Sequence, residues 1–208
     1  MTKLQVAIDL LTTEAALELA GKVAPYVDII ELGTPLIKAE GLRVVTAMKE
    51  AHPDKLVFAD MKTADTGALE AEMAFQAGAD LVTVMGTVDD ATIKGAVEAG
   101  KKFGRKVVVD TIGVKNRVER AREVIAFGVE FVELHAGLDE QALPGYSVQT
   151  LIAEGREAGV AFSIAGGVNI DTIKDVVAAG ATVAVAGGAI YGAENPAEAA
   201  KALKEAIQ

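Results

Sequence analysis

The chain has 208 residues, a net charge of −10, no cysteine, two histidines and no tryptophan. No cysteine excludes disulfides, thiolate metal sites and a cysteine nucleophile, and two histidines argue against a multi-histidine zinc centre. The negative charge argues against nucleic acid or an anionic membrane as partner, so an anionic ligand would need a local site working against the overall field.

The elements follow one rhythm. Met1-Thr2-Lys3-Leu4 leads straight into a strand, Leu4 to Leu10, with no signal peptide, so a cytoplasmic location is expected. Thr12 and Thr13 offer N-caps for a helix carrying Ala16, Leu17, Leu19 and Ala20. Val27 to Leu32 is the second strand, and Thr34-Pro35 reads as an N-cap followed by a proline at the first helical position, opening a helix that continues through Leu42, Val45 and Met48. The third strand runs into Val57-Phe58-Ala59-Asp60-Met61-Lys62-Thr63-Ala64-Asp65-Thr66-Gly67, after which Asp65 or Thr66 caps a helix bearing Leu69 and Met73. Leu81 to Met85, Val107 to Thr111, Phe131 to His135, Ala161 to Ala165 and Thr182 to Ala186 are strands four to eight, each followed by a helical pattern. The longest irregular piece, about residues 136 to 146, follows strand six and is a candidate lid. Eight strand-then-helix units in this length predict a closed (β/α)₈ barrel, an α/β TIM barrel, over residues 1–208 as one domain. An open sheet is disfavoured, because no Gly-x-Gly-x-x-Gly follows strand one.

In such a barrel the site lies at the C-terminal strand ends. Asp9, Glu31, Asp60 with Lys62, Asp110 and His135 stand at that end of five otherwise apolar strands. Alternation along a strand puts Asp60 and Lys62 on one face. Alone, Asp-x-Lys-x-x-Asp reads either as a structural ion pair or as a ligand site. Six ionisable groups converging on one mouth must satisfy one another or bind something, because a buried ion costs several kcal/mol. Ala165-Gly166-Gly167 and Ala186-Gly187-Gly188 end strands seven and eight. They read as tight turns or, at this place in a barrel, as a phosphate cradle of backbone N–H groups. All six arginines fall outside the strand ends, so no guanidinium is expected at the phosphate. Glu31 and Asp60 are oxygen ligands suited to Mg²⁺, and His135 has the pKa range of a general base. Lys62, between Asp60 and Asp65, is expected to stay charged, which suits oxyanion stabilisation rather than imine chemistry. The residues thus point to metal-assisted enolate chemistry on a sugar phosphate.

The strand-three motif, Asp9 in Val-Ala-Ile-Asp-Leu, Glu-Leu-Gly-Thr at 31–34, Glu-Leu-His-Ala-Gly-Leu-Asp-Glu-Gln at 133–141 and the two Gly-Gly turns resemble the orotidine-5′-phosphate decarboxylase superfamily. Within it they resemble the 3-hexulose-6-phosphate synthase branch along essentially the whole chain. The resemblance implies aldol addition of formaldehyde to D-ribulose 5-phosphate, giving D-arabino-hex-3-ulose 6-phosphate, with Mg²⁺ or Mn²⁺, in formaldehyde fixation by the ribulose monophosphate pathway. It implies Glu31 and Asp60 as metal ligands and Asp9 and Lys62 in the polar cluster. It makes His135 an acid/base and Gly166, Gly167, Gly187 and Gly188 the phosphate cradle. It also implies a homodimer in which Asp65 reaches the partner's site. Orotidylate and 3-keto-L-gulonate-6-phosphate decarboxylases resemble the chain too. They carry an arginine where Gly188 stands, and the keto-gulonate enzyme another where Leu138 stands. Ala64, by contrast, resembles the keto-gulonate enzyme, which leaves room for side decarboxylation. The alternatives are that decarboxylase and a non-catalytic sugar-phosphate-binding barrel.

Overall fold

Apolar strands buried on both faces build the framework. In the computed structural model, which describes residues 1–208, eight parallel strands close in sequence order, β1 pairing with β2 on one side and β8 on the other. They are β1 Lys3–Ile8, β2 Ile29–Leu32, β3 Leu56–Thr63, β4 Leu81–Met85, β5 Lys106–Asp110, β6 Phe131–His135, β7 Phe162–Ala165 and β8 Val183–Ala186. The covering helices are α1 Thr13–Val23, α2 Thr34–Glu40, α3 Arg43–Ala51, α4 Gly67–Gln76, α5 Asp90–Phe103, α6 Arg117–Ile125, α7 Leu138–Gln141, α8 Val148–Ala158, α9 Ile173–Ala178, α10 Gly188–Tyr191 and α11 Pro196–Ala206. No helix is long and apolar enough to cross a membrane.

Each strand has two fates for its side chains. One set, including Leu4, Val6, Ile30, Val57, Val82, Val109, Leu134 and Ile164, packs outward into the large core shared with the helices. The alternate set forms a second, smaller cluster inside the barrel: Ile29, Phe58, Leu81, Val108, Phe131, Ala165, Val183 and Val185. Two residues further along four of those strands the inward positions turn acidic, at Glu31, Asp60, Asp110 and Glu133. The barrel is therefore dry at its floor and charged toward its C-terminal mouth.

Four local expectations are corrected. The helix after strand two is two helices: Gly41, with φ +68°, breaks it between α2 and α3. Thr34 does not cap α2. Gly33 is the cap residue, and the Thr34 hydroxyl instead donates to the carbonyl and Oδ2 of Asp60 at 2.9 and 2.7 Å. Nor do Leu69 and Met73 face the core; they are 59% and 46% exposed. Helix α4 instead packs on its small side, Gly67, Ala71 and Ala74, and a Cβ on Gly67 would collide with the Thr92 carbonyl of α5. Neither Asp65 nor Thr66 caps α4 with a side chain; Thr66 has φ +50°, and Asp65 Oδ1 accepts only the adjacent Thr66 N–H, at 2.7 Å.

At the opposite end from the mouth, just before β4, Asp80 accepts from the Val57 N–H at 2.9 Å and Lys49 Nζ at 2.8 Å, and pairs with Arg105. It ties α3, β3 and the start of β5 together. Replacing Asp80 with Ala should cost about 2–3 kcal/mol by removing a buried acceptor that serves three donors. Denaturant unfolding should read that loss, while activity per folded molecule stays at wild-type level.

Candidate active site

The polar upper layer is joined across the barrel. Lys62 Nζ donates to Asp60 Oδ2 at 2.9 Å and Oδ1 at 3.2 Å, and to Asp110 Oδ2 at 2.6 Å. Asp110 Oδ2 also lies 2.9 Å from His135 Nδ1, and its Oδ1 accepts the Ile112 N–H at 2.7 Å. Asp60 is further held by the Thr83 hydroxyl at 2.8 Å on Oδ1 and by Thr34 on Oδ2. Gln5 Nε2 donates to Glu31 Oε2 at 2.7 Å, and Ser163 donates to Glu133 Oε2 at 3.2 Å. Asp9, just past β1, packs against Gly33, where any Cβ would overlap its carboxylate.

Asp60 and Lys62 do meet, but not by simple alternation. The β3–β4 register shifts between Ala59 and Thr63, and Lys62 has φ +44°, a left-handed conformation costing about 1–2 kcal/mol for a non-glycine. Its N–H donates to the Thr83 hydroxyl at 2.8 Å, which holds the bulge. The bulge re-aims the ammonium across the barrel toward Asp110.

Burial and mutual charge set the protonation. For Lys62, burial works against the charge, but Asp60 and Asp110 outweigh it and raise its pKa, so it is an ammonium. Asp110 is fully buried, yet His135 and Lys62 overcome that penalty and hold its pKa below the usual range. For His135, burial pulls down and Asp110 pushes up, with a net rise. In the neutral ring an ionised Asp110 beside Nδ1 fixes the tautomer: Nδ1–H donates to it and Nε2 is the acceptor. Burial, then repulsion from Glu133 and Asp60, raises Glu31 well above its ordinary value. Burial, then Asp110, raises Glu133 to about 7. Burial, then Asp60, raises Asp9.

The strand-seven and strand-eight ends differ from those of β2, β4, β5 and β6. Beyond β2, β4, β5 and β6 the next N–H continues the ladder: Gly33 donates to Ile8 O, Gly86 to Asp110 O, Thr111 to Glu133 O and Ala136 to Ala165 O. The N–H groups of Gly166, Gly167 and Gly187 donate to no acceptor in the chain. Gly166 and Gly167 have φ +111° and +80°, and a Cβ on Gly166 would lie 2.6 Å from the Ala136 carbonyl. Only glycine suits that turn, and it leaves backbone donors open to an anion. Gly188 begins α10.

Residues 2–203 match the family model described as Orotidine 5′-phosphate decarboxylase / HUMPS family. The chain belongs to this family. Among family members, the 3-hexulose-6-phosphate synthase of Mycobacterium gastri is 67% identical over 205 residues, covering 99% of both chains. That of Methylomonas aminofaciens is 43% identical over 205 residues, covering 96% of each. A crystal structure of 3-hexulose-6-phosphate synthase superposes with a TM-score of 0.98 at 67% identity, covering 100% of both chains.

Of the residues picked out from the family pattern and strand ends, the structure brings Asp9, Glu31, Asp60, Lys62, Asp110 and His135 to one mouth. Asp65 is exposed and has no hydrogen bond to that cluster. Sequence reasoning missed Glu133, Gln5, Thr34, Thr83 and Ser163. The signal for Glu133 was available: it stands two residues before His135 and so faces the same way. The tightest set of metal-type ligands is Asp110, Glu133 and His135, with ligand atoms within 4.8 Å of one another, but Asp110 and His135 are engaged with each other. A divalent cation fits the site electrostatically, since five carboxylates face only Lys62 and His135, and three of the five are driven toward protonation. Asp60 already meets four hydrogen-bond contacts, and Glu31 Oε1 accepts none.

The raised Glu133 carries a stability signature. Its folded pKa of about 7 exceeds the ordinary 4.5, so the fold favours the protonated form. That contribution is complete below pH 4.5 and is lost as pH rises through 7. In chelator-containing buffer the thermal midpoint should fall across this window, and Glu133→Gln should flatten the slope.

Proposed function

We propose that this chain joins formaldehyde to C1 of D-ribulose 5-phosphate, forming D-arabino-hex-3-ulose 6-phosphate. The observation that carries the reading is the 67% identity to a 3-hexulose-6-phosphate synthase across 99% of both chains. The cluster of Lys62, Asp110 and His135 supplies the acid–base groups such chemistry needs.

In this scheme His135 Nε2 removes the C1 proton of the ribulose phosphate. Asp110 orients the imidazole through Nδ1 and offsets the imidazolium that forms. Negative charge then develops on the substrate's C2 oxygen, and the Lys62 ammonium donates to it. C1 attacks the formaldehyde carbon, a carbon–carbon bond forms, and the former formaldehyde oxygen takes up a proton. Glu31 and Asp60 would hold Mg²⁺ or Mn²⁺, which when bound acts as a Lewis acid toward the ketone. The open N–H groups of Gly166, Gly167 and Gly187, with Gly188, cradle the phosphate. The homodimer belongs to the same reading. Asp65 stands at the start of α4, beside the exposed Leu69 and Met73, an apolar face that a second copy would cover while Asp65 enters its site.

Purified protein should consume formaldehyde only when ribulose 5-phosphate and a divalent metal are both present. Carbon dioxide release from 3-keto-L-gulonate 6-phosphate without formaldehyde loss would instead assign the decarboxylase, against the absence of arginine at Leu138 and Gly188. His135→Asn should abolish exchange of the C1 proton with deuterated solvent, lowering the rate at least a hundredfold. Near-normal exchange would remove His135 from the role of base.

A further inference from the structure

Residues 136–146 run from His135 to the edge of the Gly166-Gly167 turn, and the scheme above gives their side chains no task. They are pinned at three points. Arg117, at the start of α6 and 12% exposed, donates to both oxygens of Glu140 at 2.7 and 2.8 Å. Gln141 Nε2 donates to the Ala136 carbonyl at 2.8 Å. At the far end the Tyr146 hydroxyl donates to the Gly166 carbonyl at 2.8 Å. The Tyr146 ring also lies against both glycines: a Cβ on Gly166 would sit 3.1 Å from its hydroxyl, and one on Gly167 would sit 3.6 Å from a ring carbon.

The peptide joining Gly166 to Gly167 is planar and trans, so its C=O and N–H point in opposite directions. A peptide flanked by two glycines meets little steric resistance to turning over. The hydrogen bond from Tyr146 holds the oxygen on one side, which aims the Gly167 N–H to the other, where it has no acceptor within the chain. The next plane is held in the same manner, with the Thr172 hydroxyl donating to the Gly167 carbonyl at 3.1 Å.

We propose that Tyr146 is a positioning residue for the substrate phosphate: its hydroxyl locks the Gly166–Gly167 peptide in the orientation that presents the Gly167 N–H to the anion. The proposal rests on the reading of the Gly-Gly turns as the phosphate cradle. Tyr146 acts through the turn and does not touch the phosphate itself. The hydroxyl therefore contributes to phosphate affinity and leaves proton abstraction and carbon–carbon bond formation to the groups across the mouth.

The test is Tyr146→Phe, which keeps the ring and removes the hydroxyl, with inorganic phosphate as the probe. The variant should raise the calorimetric Kd for phosphate and the KM for ribulose 5-phosphate by about fivefold. Its kcat and its KM for formaldehyde should stay within about twofold of wild type. A hydroxyl that served only to hold residues 136–146 in place would leave phosphate affinity where it was. If wild-type protein binds phosphate in competition with ribulose 5-phosphate and the variant binds it equally well, the role of Tyr146 is overturned and the cradle stands. If phosphate does not compete in the wild type, the cradle reading and the proposal fall together.

Discussion

One carboxylate oxygen holds the site together. Asp110 Oδ2 accepts from Lys62 and faces His135 Nδ1, so a fully buried anion is shared between an ammonium and an imidazole on different strands. Removing one partner would leave the anion a single cation, and removing both would leave a buried charge uncompensated, a penalty of about 3–5 kcal/mol. The backbone around it is shaped to the same end. Ile112 donates its N–H to the other oxygen, and the bulge at Lys62 turns the ammonium toward Asp110. The left-handed φ of Lys62 is thus local strain held by the Thr83 hydroxyl and offset by two ion pairs.

The barrel separates its polar tasks by height. At the N-terminal end of the strands, Asp80 gathers cations and a backbone N–H and serves the framework. The middle of the interior is apolar, from Ile29 and Phe58 to Val183. Above it, carboxylates exceed cations, and burial pushes Glu31, Glu133 and Asp9 toward the neutral form. Such an imbalance makes little sense for stability alone, because each buried acid costs more than it returns without a cation. It is a site kept short of positive charge, with backbone amides rather than arginines at the place where the phosphate is proposed to bind.

Much of this was legible from residue order. Eight strand-and-helix units are written in alternating apolar runs and Gly stops, and β4 and β6 have the bounds that their hydrophobic runs suggest. The charged strand ends identify the mouth because the fold puts all C-terminal strand ends on one face. What the order of residues hides is set by packing between distant segments. Small residues on α4 dock against α5, so Leu69 and Met73 turn outward despite their hydrophobicity. Thr34 looks like a cap and serves Asp60 instead, because strand pairing brings β2 beside β3. Glu133 looks like an interruption in a strand until the closed barrel turns it toward Asp110. Lys62 obeys its spacing from Asp60 only through a bulge that no local pattern announces.

The contact between Gly33 and Asp9 couples two sites in heredity. The Asp9 carboxylate occupies the volume that any side chain at position 33 would need. A descendant that gains a side chain at 33 must displace the Asp9 carboxylate and also shift the Ile8 carbonyl at the end of β1. Losing the acid at 9 would not by itself admit a side chain at 33, because the Ile8 carbonyl oxygen would still lie 2.9 Å from its Cβ. Positions 9 and 33 lie at neighbouring strands' exits and share one volume, so a change at 33 is felt at 9.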